Sequence, residues 1–232
     1  MSVIDTKRRR LVSNFAELAR RPFSDGVNAL CWPRALGGDF GEVARLLAPD
    51  DGLVVVEPTT LAALDLSDAG RTAAEAMLDD LLRLRELGHD PVINCIARYA
   101  RDQRGLPIAT DVMSFHVDRA PVEVDTWLCT YWGKSTEGID NDDAQRLIDS
   151  PALRLALLQE YGGCEDEHFA TFITTGSYDL HYGAVDDVEP FSFGVGHLWR
   201  VAVQWAGCPV PPCIHRAPNT TAADEPRLLL IC

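Results

Sequence analysis

Over residues 92–231 the chain breaks into short β-like stretches, and this segmentation limits what it can fold into more than any other feature. The stretches are 92–99, 111–118, 124–131, 169–175, 197–205, 213–216 and Arg227–Ile231, separated by Gly, Pro and Asp turns. Short strands at this spacing predict a sandwich or a barrel. The preceding part has a different texture. Leu53-Val54-Val55-Val56, bounded by Asp50-Asp51-Gly52 and Pro58, predicts one strand. After Ser67-Asp68 the apolar residues Ala74, Met77, Leu78, Leu81, Leu84 and Leu87 recur at helical spacing, with Gly88 closing the run and Pro91 beyond it. A second helix is expected over 142–161, split or restarted at Pro151 and ended by Gly162-Gly163. The expected fold is mainly β, of α+β type. A basic N-terminal segment (1–27) precedes one domain (28–232), in which an α/β extension (28–91) leads into a β-barrel (92–232).

Charge narrows the function. With 21 Lys plus Arg against 35 Asp plus Glu, the net charge is −14. Affinity for nucleic-acid backbones and anionic membranes comes from Lys and Arg displacing counterions, so neither partner is expected. The run Lys7-Arg8-Arg9-Arg10 is followed by no apolar stretch of signal length, and no segment reaches the roughly 20 apolar residues of a bilayer-spanning helix. A cytoplasmic protein is the expectation. Seven dispersed cysteines with no C-x-x-C pair read as reduced thiols, and Cys208 with Cys213 makes only a weak zinc knuckle.

The informative segment is Phe115-His116-Val117-Asp118. Side chains alternate along a strand, so His116 and Asp118 project to one side while Val117 faces away. Far downstream, Cys213-Ile214-His215-Arg216 offers another imidazole on a short strand. If the two strands face one another inside a barrel, two His and one carboxylate cover one face of a metal and leave the other open, the arrangement of non-haem Fe(II) oxygenases. Taken singly, either histidine reads equally as a hydrogen-bonded core residue. His168, His181 and His197 compete as ligands, and Glu165-Asp166-Glu167-His168 is a separate cation candidate.

H-x-D, a long gap, His, and then Arg on the last strand resembles the Fe(II)- and 2-oxoglutarate-dependent oxygenases, which are built on the double-stranded β-helix (jelly roll) of the cupin superfamily. Three blocks resemble more narrowly the uncharacterised bacterial domain of unknown function 1826 family. They are Phe115-His116-Val117-Asp118, Thr130-Tyr131-Trp132-Gly133-Lys134-Ser135-Thr136-Glu137 and His215-Arg216-Ala217-Pro218, with Trp32-Pro33-Arg34 similar to an early block. Ser135 stands where that pattern has a second glycine. The resemblance implies Fe(II) held by His116, Asp118 and His215, 2-oxoglutarate as cosubstrate, and oxidation of a small molecule. Arg227, able to pair bidentately with a carboxylate, is the expected cosubstrate anchor. Arg216 is its rival, although alternation points it away from the side of His215. Of the aromatics Trp127, Tyr131, Trp132, Trp199 and Trp205, Tyr131 alone is expected as a contact near the site. Zn(II) in a non-catalytic cupin, or an iron oxygenase without 2-oxoglutarate, would use the same triad.

The span 140–190 holds twelve acids and two bases. It reads either as a solvated face or as an insertion over the barrel mouth with hinges at Gly162-Gly163 and Gly176. In the second case its field favours a cationic or amine-bearing substrate.

Overall fold

The computed structural model describes residues 6–185, 188–221 and 223–232. Two β-sheets and six helices form a mixed α+β fold. The larger sheet contains β1 (Arg9–Leu11), β2 (Ala29–Trp32), β3 (Leu53–Val56), β4 (Val92–Ile96), β6 (Asp125–Trp132), β11 (Leu198–Ala202) and β13 (Arg227–Ile231). The smaller contains β5 (Phe115–His116), β7 (Glu137–Ile139), β8 (Ala144–Arg146), β9 (His181–Ala184), β10 (Phe191–Ser192) and β12 (Ile214–Arg216). Their orders are β1-β2-β11-β6-β13-β4-β3 and β10-β7-β12-β5-β9-β8. All neighbours are antiparallel except β1 with β2.

The helices are α1 (Phe15–Arg20), α2 (Phe40–Leu47), α3 (Pro58–Ala62), α4 (Asp68–Glu86), α5 (Pro151–Tyr161) and α6 (Glu167–Thr175). Helix α4 matches its sequence signature: the Ser67 hydroxyl accepts from Gly70 N at 3.1 Å, and Gly88 follows the end at φ +85°. Its buried side, Ala73, Met77, Leu81 and Leu84, packs with Trp127, Leu228 and Leu230 on one face of the larger sheet. Burying each large side chain stabilises by roughly 1.5–3 kcal/mol. Alternation turns Leu128, Trp199 and Leu229 to the opposite face, where they meet Phe193 and Cys213. The residues facing the smaller sheet are therefore interleaved with those facing the helices.

Several expectations need correction. Residues 169–175 are helix α6, not a strand. The Asp166 carboxylate caps its start, accepting from His168 N and Phe169 N, and Phe169 and Ile173, one turn apart, bury into a small cluster with Ile108, Ile148 and Leu157. The β-branched Thr and Ile content misleads here because the cap and the i,i+4 burial decide the conformation. The helix expected over 142–161 exists only as α5, because Pro151 sits in its first turn and the chain before it forms two 3-10 turns around β8. The stretch 111–118 is regular only over Phe115–His116, so Asp118 lies just past the strand. The basic segment is not a separate arm either: β1 joins the larger sheet, Lys7 and Arg8 pair with Asp142, and Arg9 pairs with Asp140. Asp186 and Asp187 of the acidic span lie outside the described residues. Among the described residues no helix is long and apolar enough to cross a membrane.

Candidate metal centre

His215 of β12 lies directly opposite His116 of β5. Paired residues on antiparallel strands project to one face, so the two imidazoles stand side by side with ring centroids 4.7 Å apart. Asp118 comes back to the same face. Its Oδ1 is 3.9 Å from His116 Nε2 and its Oδ2 is 3.7 Å from His215 Nε2. One donor atom from each of the three falls within 4.8 Å of the others, and among the described residues no other set of three His, Cys, Asp or Glu does so.

Each donor is oriented from behind. His116 Nδ1 lies 2.8 Å from the Ser114 carbonyl and His215 Nδ1 lies 3.3 Å from the Cys213 carbonyl. A carbonyl only accepts, so these contacts place the proton on Nδ1 and leave the Nε2 lone pairs aimed at the shared space, the support usual for ligating histidines. The Thr126 hydroxyl donates to Asp118 Oδ2 at 2.5 Å. Burial, followed by the neighbouring His215, lowers the His116 imidazole to about 4. Burial alone would raise the Asp118 carboxyl. His215, the Thr126 hydroxyl and His116 outweigh it and hold the group below its usual value. Two neutral imidazoles and a carboxylate therefore coexist at neutral pH, the protonation states a divalent first-row ion requires.

A cleft of about 360 Å³ opens onto this group, lined by His116, Asp118, Asp111, Arg119, Ser177 and His181 among others. Ser177 and His181 belong to the acidic span, so that span does contribute a wall to the cleft. Ser177 holds a left-handed φ of +61°, a strained conformation for a non-glycine residue. Arg119 is paired with Asp179.

Arg227 and Arg216 part company. Arg227 shares its face with Leu229 in the layer between the sheets and is 2% exposed. Its guanidinium donates to the hydroxyls of Tyr99, Thr130 and Thr136, all neutral, and its Nε is buried with no partner. Burial lowers its pKa, with Tyr99 opposing. Arg216 points the other way, pairing with Glu137 at 2.7 Å and lying over the Phe115 ring. Tyr131 is not at the site. It faces the helices, stacked on Phe40 and donating to Asp80 Oδ2 at 2.8 Å. Its neighbour Thr130 faces the layer between the sheets, so alternation along β6 was the signal that distinguishes the two. The block 130–137 thus works through its ends: Thr130 and Thr136 hold Arg227, and Glu137 holds Arg216. Between them Gly133 turns at φ +81°, where a Cβ would sit 3.0 Å from the Pro226 carbonyl oxygen. Ser135 is not in the left-handed region, so a glycine is not required there.

Other candidates have structural work. Arg34 of the early block makes a two-point ion pair with Asp80 of α4. Asp166 caps α6 and Glu165 pairs with Arg154, which accounts for two of the four residues 165–168. Cys208 and Cys213 are free thiols outside any cluster of three metal-ligating groups among the described residues. Tyr99, Thr136 and His181 carry no sequence signal of their own and enter the site only through the fold. No protein-family model, curated protein or solved structure matches this chain, and the reading of the site rests on its own residues.

Proposed function

We propose that this chain is a non-haem Fe(II) oxygenase of small molecules, using 2-oxoglutarate as cosubstrate and built on a cupin-like double-stranded β-helix. The observation that carries the proposal is the convergence of His116, Asp118 and His215 on one side of a shared space that opens to a cleft. The donor set fits the metal, since two imidazole nitrogens and one carboxylate leave coordination positions for other ligands. Arg227 fits the cosubstrate, since a buried guanidinium with only neutral partners lacks the anion that would offset its desolvation. Bound together, Fe(II) and 2-oxoglutarate would supply oxygen activation coupled to decarboxylation of the cosubstrate.

The chain's own part is orientation. The Ser114 and Cys213 carbonyls fix the imidazoles, the Thr126 hydroxyl fixes the carboxylate, and Arg227 with its three hydroxyls grips a carboxylate in the dry layer between the sheets. The cleft presents Asp111 as well as Asp118, while Arg119 is neutralised by Asp179. A cationic or amine-bearing substrate suits that lining.

Anaerobic addition of Fe(II) and then 2-oxoglutarate tests the reading. The expected result is a weak visible charge-transfer band, with succinate formed once oxygen is admitted. His116→Ala, Asp118→Ala and His215→Ala should each remove stoichiometric metal from a folded protein, and full metal retention in all three would sink the site. Stoichiometric Zn(II) without succinate would assign a non-catalytic metal-binding protein. Substrate oxidation without succinate would assign an iron oxygenase that leaves Arg227 to its substrate.

A further inference from the structure

The smaller sheet carries three histidines in a row. His215 of β12 is the direct partner of His116 of β5, and His116 is the direct partner of His181 of β9. Their side chains share one face, and the His116 and His181 ring centroids are 5.8 Å apart. His181 is not a member of the set whose donor atoms lie within 4.8 Å of one another. It stands one strand further along, on the side of His116 away from His215.

Two observations set it apart from an ordinary core histidine. The residue is 4% exposed, yet its Nδ1 is buried without a hydrogen-bond partner. Buried polar atoms are nearly always paired, and those left over call for an explanation. His181 also lines the cleft beside His116 and Asp118, whereas His215 is not among the lining residues. The cleft therefore reaches the triad from the His181 side. A ligand arriving through it at a metal on His116, Asp118 and His215 passes against the His181 ring.

We propose that His181 donates a hydrogen bond to the small ligand that occupies the cleft-facing position of that metal, and so orients the ligand without coordinating the ion. The inference rests on the triad holding a divalent metal, as proposed above. It adds a ligand-contacting residue from the acidic span, which gives that span a role at the site beyond solubility.

Co(II) and azide test it without any turnover. Co(II) reports its coordination through visible absorption, and azide is a small anionic ligand that accepts a hydrogen bond. Wild type, His181→Phe and His181→Gln are loaded with Co(II), and each is titrated with azide. The expected result is equal Co(II) affinity in all three, within about twofold. Azide binding should be about tenfold weaker in His181→Phe, the size of one net hydrogen bond. The Gln variant, which keeps a donor, should stay within about threefold of wild type. Unchanged azide affinity in His181→Phe overturns the inference and leaves the metal site standing. A loss of Co(II) affinity of tenfold or more in both variants overturns it as well, because His181 would then be a ligand. Failure of the wild type to bind Co(II) removes the metal site and this inference together.

Discussion

Arg34 and Arg227 are both withdrawn from water on opposite faces of the larger sheet, and they differ in what meets them. Arg34 faces the helices. It forks onto both oxygens of Asp80 at 2.6 and 2.8 Å, and Tyr131 adds a third polar contact to the same carboxylate. Burial by itself would lower the Arg34 guanidinium, and the hydrogen-bonded Asp80 reverses this and raises it. Arg227 faces the smaller sheet and meets hydroxyls only, so burial prevails and its pKa is lowered. The first arginine is half of a finished internal pair that staples α4 to the sheet. The second is a cation held in place by neutral groups, an arrangement that suits a ligand's carboxylate. Buried charge by itself therefore identifies nothing; the presence or absence of its counterion separates a structural staple from a binding site.

The comparison can be broken most forcefully at the staple. Asp80→Ala leaves the Arg34 charge unpaired and is expected to cost about 3–5 kcal/mol, read as a lowered urea midpoint. Arg227→Met, which replaces an unpaired cation by an apolar chain of similar length, is expected to cost less than about 1 kcal/mol or to stabilise. Equal losses in the two variants would show that Arg227 is as fully compensated as Arg34.

His116 extends the comparison to a group that burial keeps neutral. In the folded protein it takes up a proton only near pH 4, whereas an unfolded histidine does so near 6.5. Between those values the unfolded chain binds the extra proton, so the metal-free protein loses stability as the pH falls from about 6.5 to about 4, and this contribution is spent below that range. His116→Gln removes it. Denaturation of both proteins at pH 7 and pH 4.5 should show the smaller drop in the variant, and identical drops would mean that His116 does not stay neutral in the fold.

Smaller in size is the effect on ligand binding. Arg227→Gln should weaken 2-oxoglutarate binding by roughly 1.5–3 kcal/mol with metal retained, while Arg216→Gln, whose partner is Glu137, leaves it unchanged. Calorimetric titration of the two metal-loaded variants checks this, and the reverse pattern would transfer the anchor to Arg216. The smallest expected effect is that of Tyr99→Phe. Removing one neutral hydroxyl from the Arg227 cage should cost roughly 0.5–1.5 kcal/mol in the same titration, and no change would take Tyr99 out of the anchor.

Where local rules govern, the chain is readable without its fold. Ser67, Gly88 and the apolar spacing between them define α4, and the apolar run of Arg227–Ile231 defines β13, because caps and periodicity act within a few residues. Local rules mislead at 169–175, where β-branched residues compete with a cap at Asp166 and burial of Phe169 and Ile173 settles the outcome. The grouping of His116 with Asp118 is legible from a two-residue spacing. Tyr131 was misassigned because membership of a motif says nothing about which side of a strand a side chain takes.

By itself, then, the sequence determined the pair His116 and Asp118, the candidate His215, and the arginine at the head of the last strand, since each is written in short-range order. The partners were decided by tertiary structure. Pairing of β5 with β12 on one side and β9 on the other sets His215 and His181 about His116, although 99 residues separate His116 from His215 along the chain. Packing likewise gives Arg34 its carboxylate and withholds one from Arg227. The physical reason is that hydrogen bonding between strands and desolvation depend on which segments meet in space, and neither quantity is carried by neighbours in sequence.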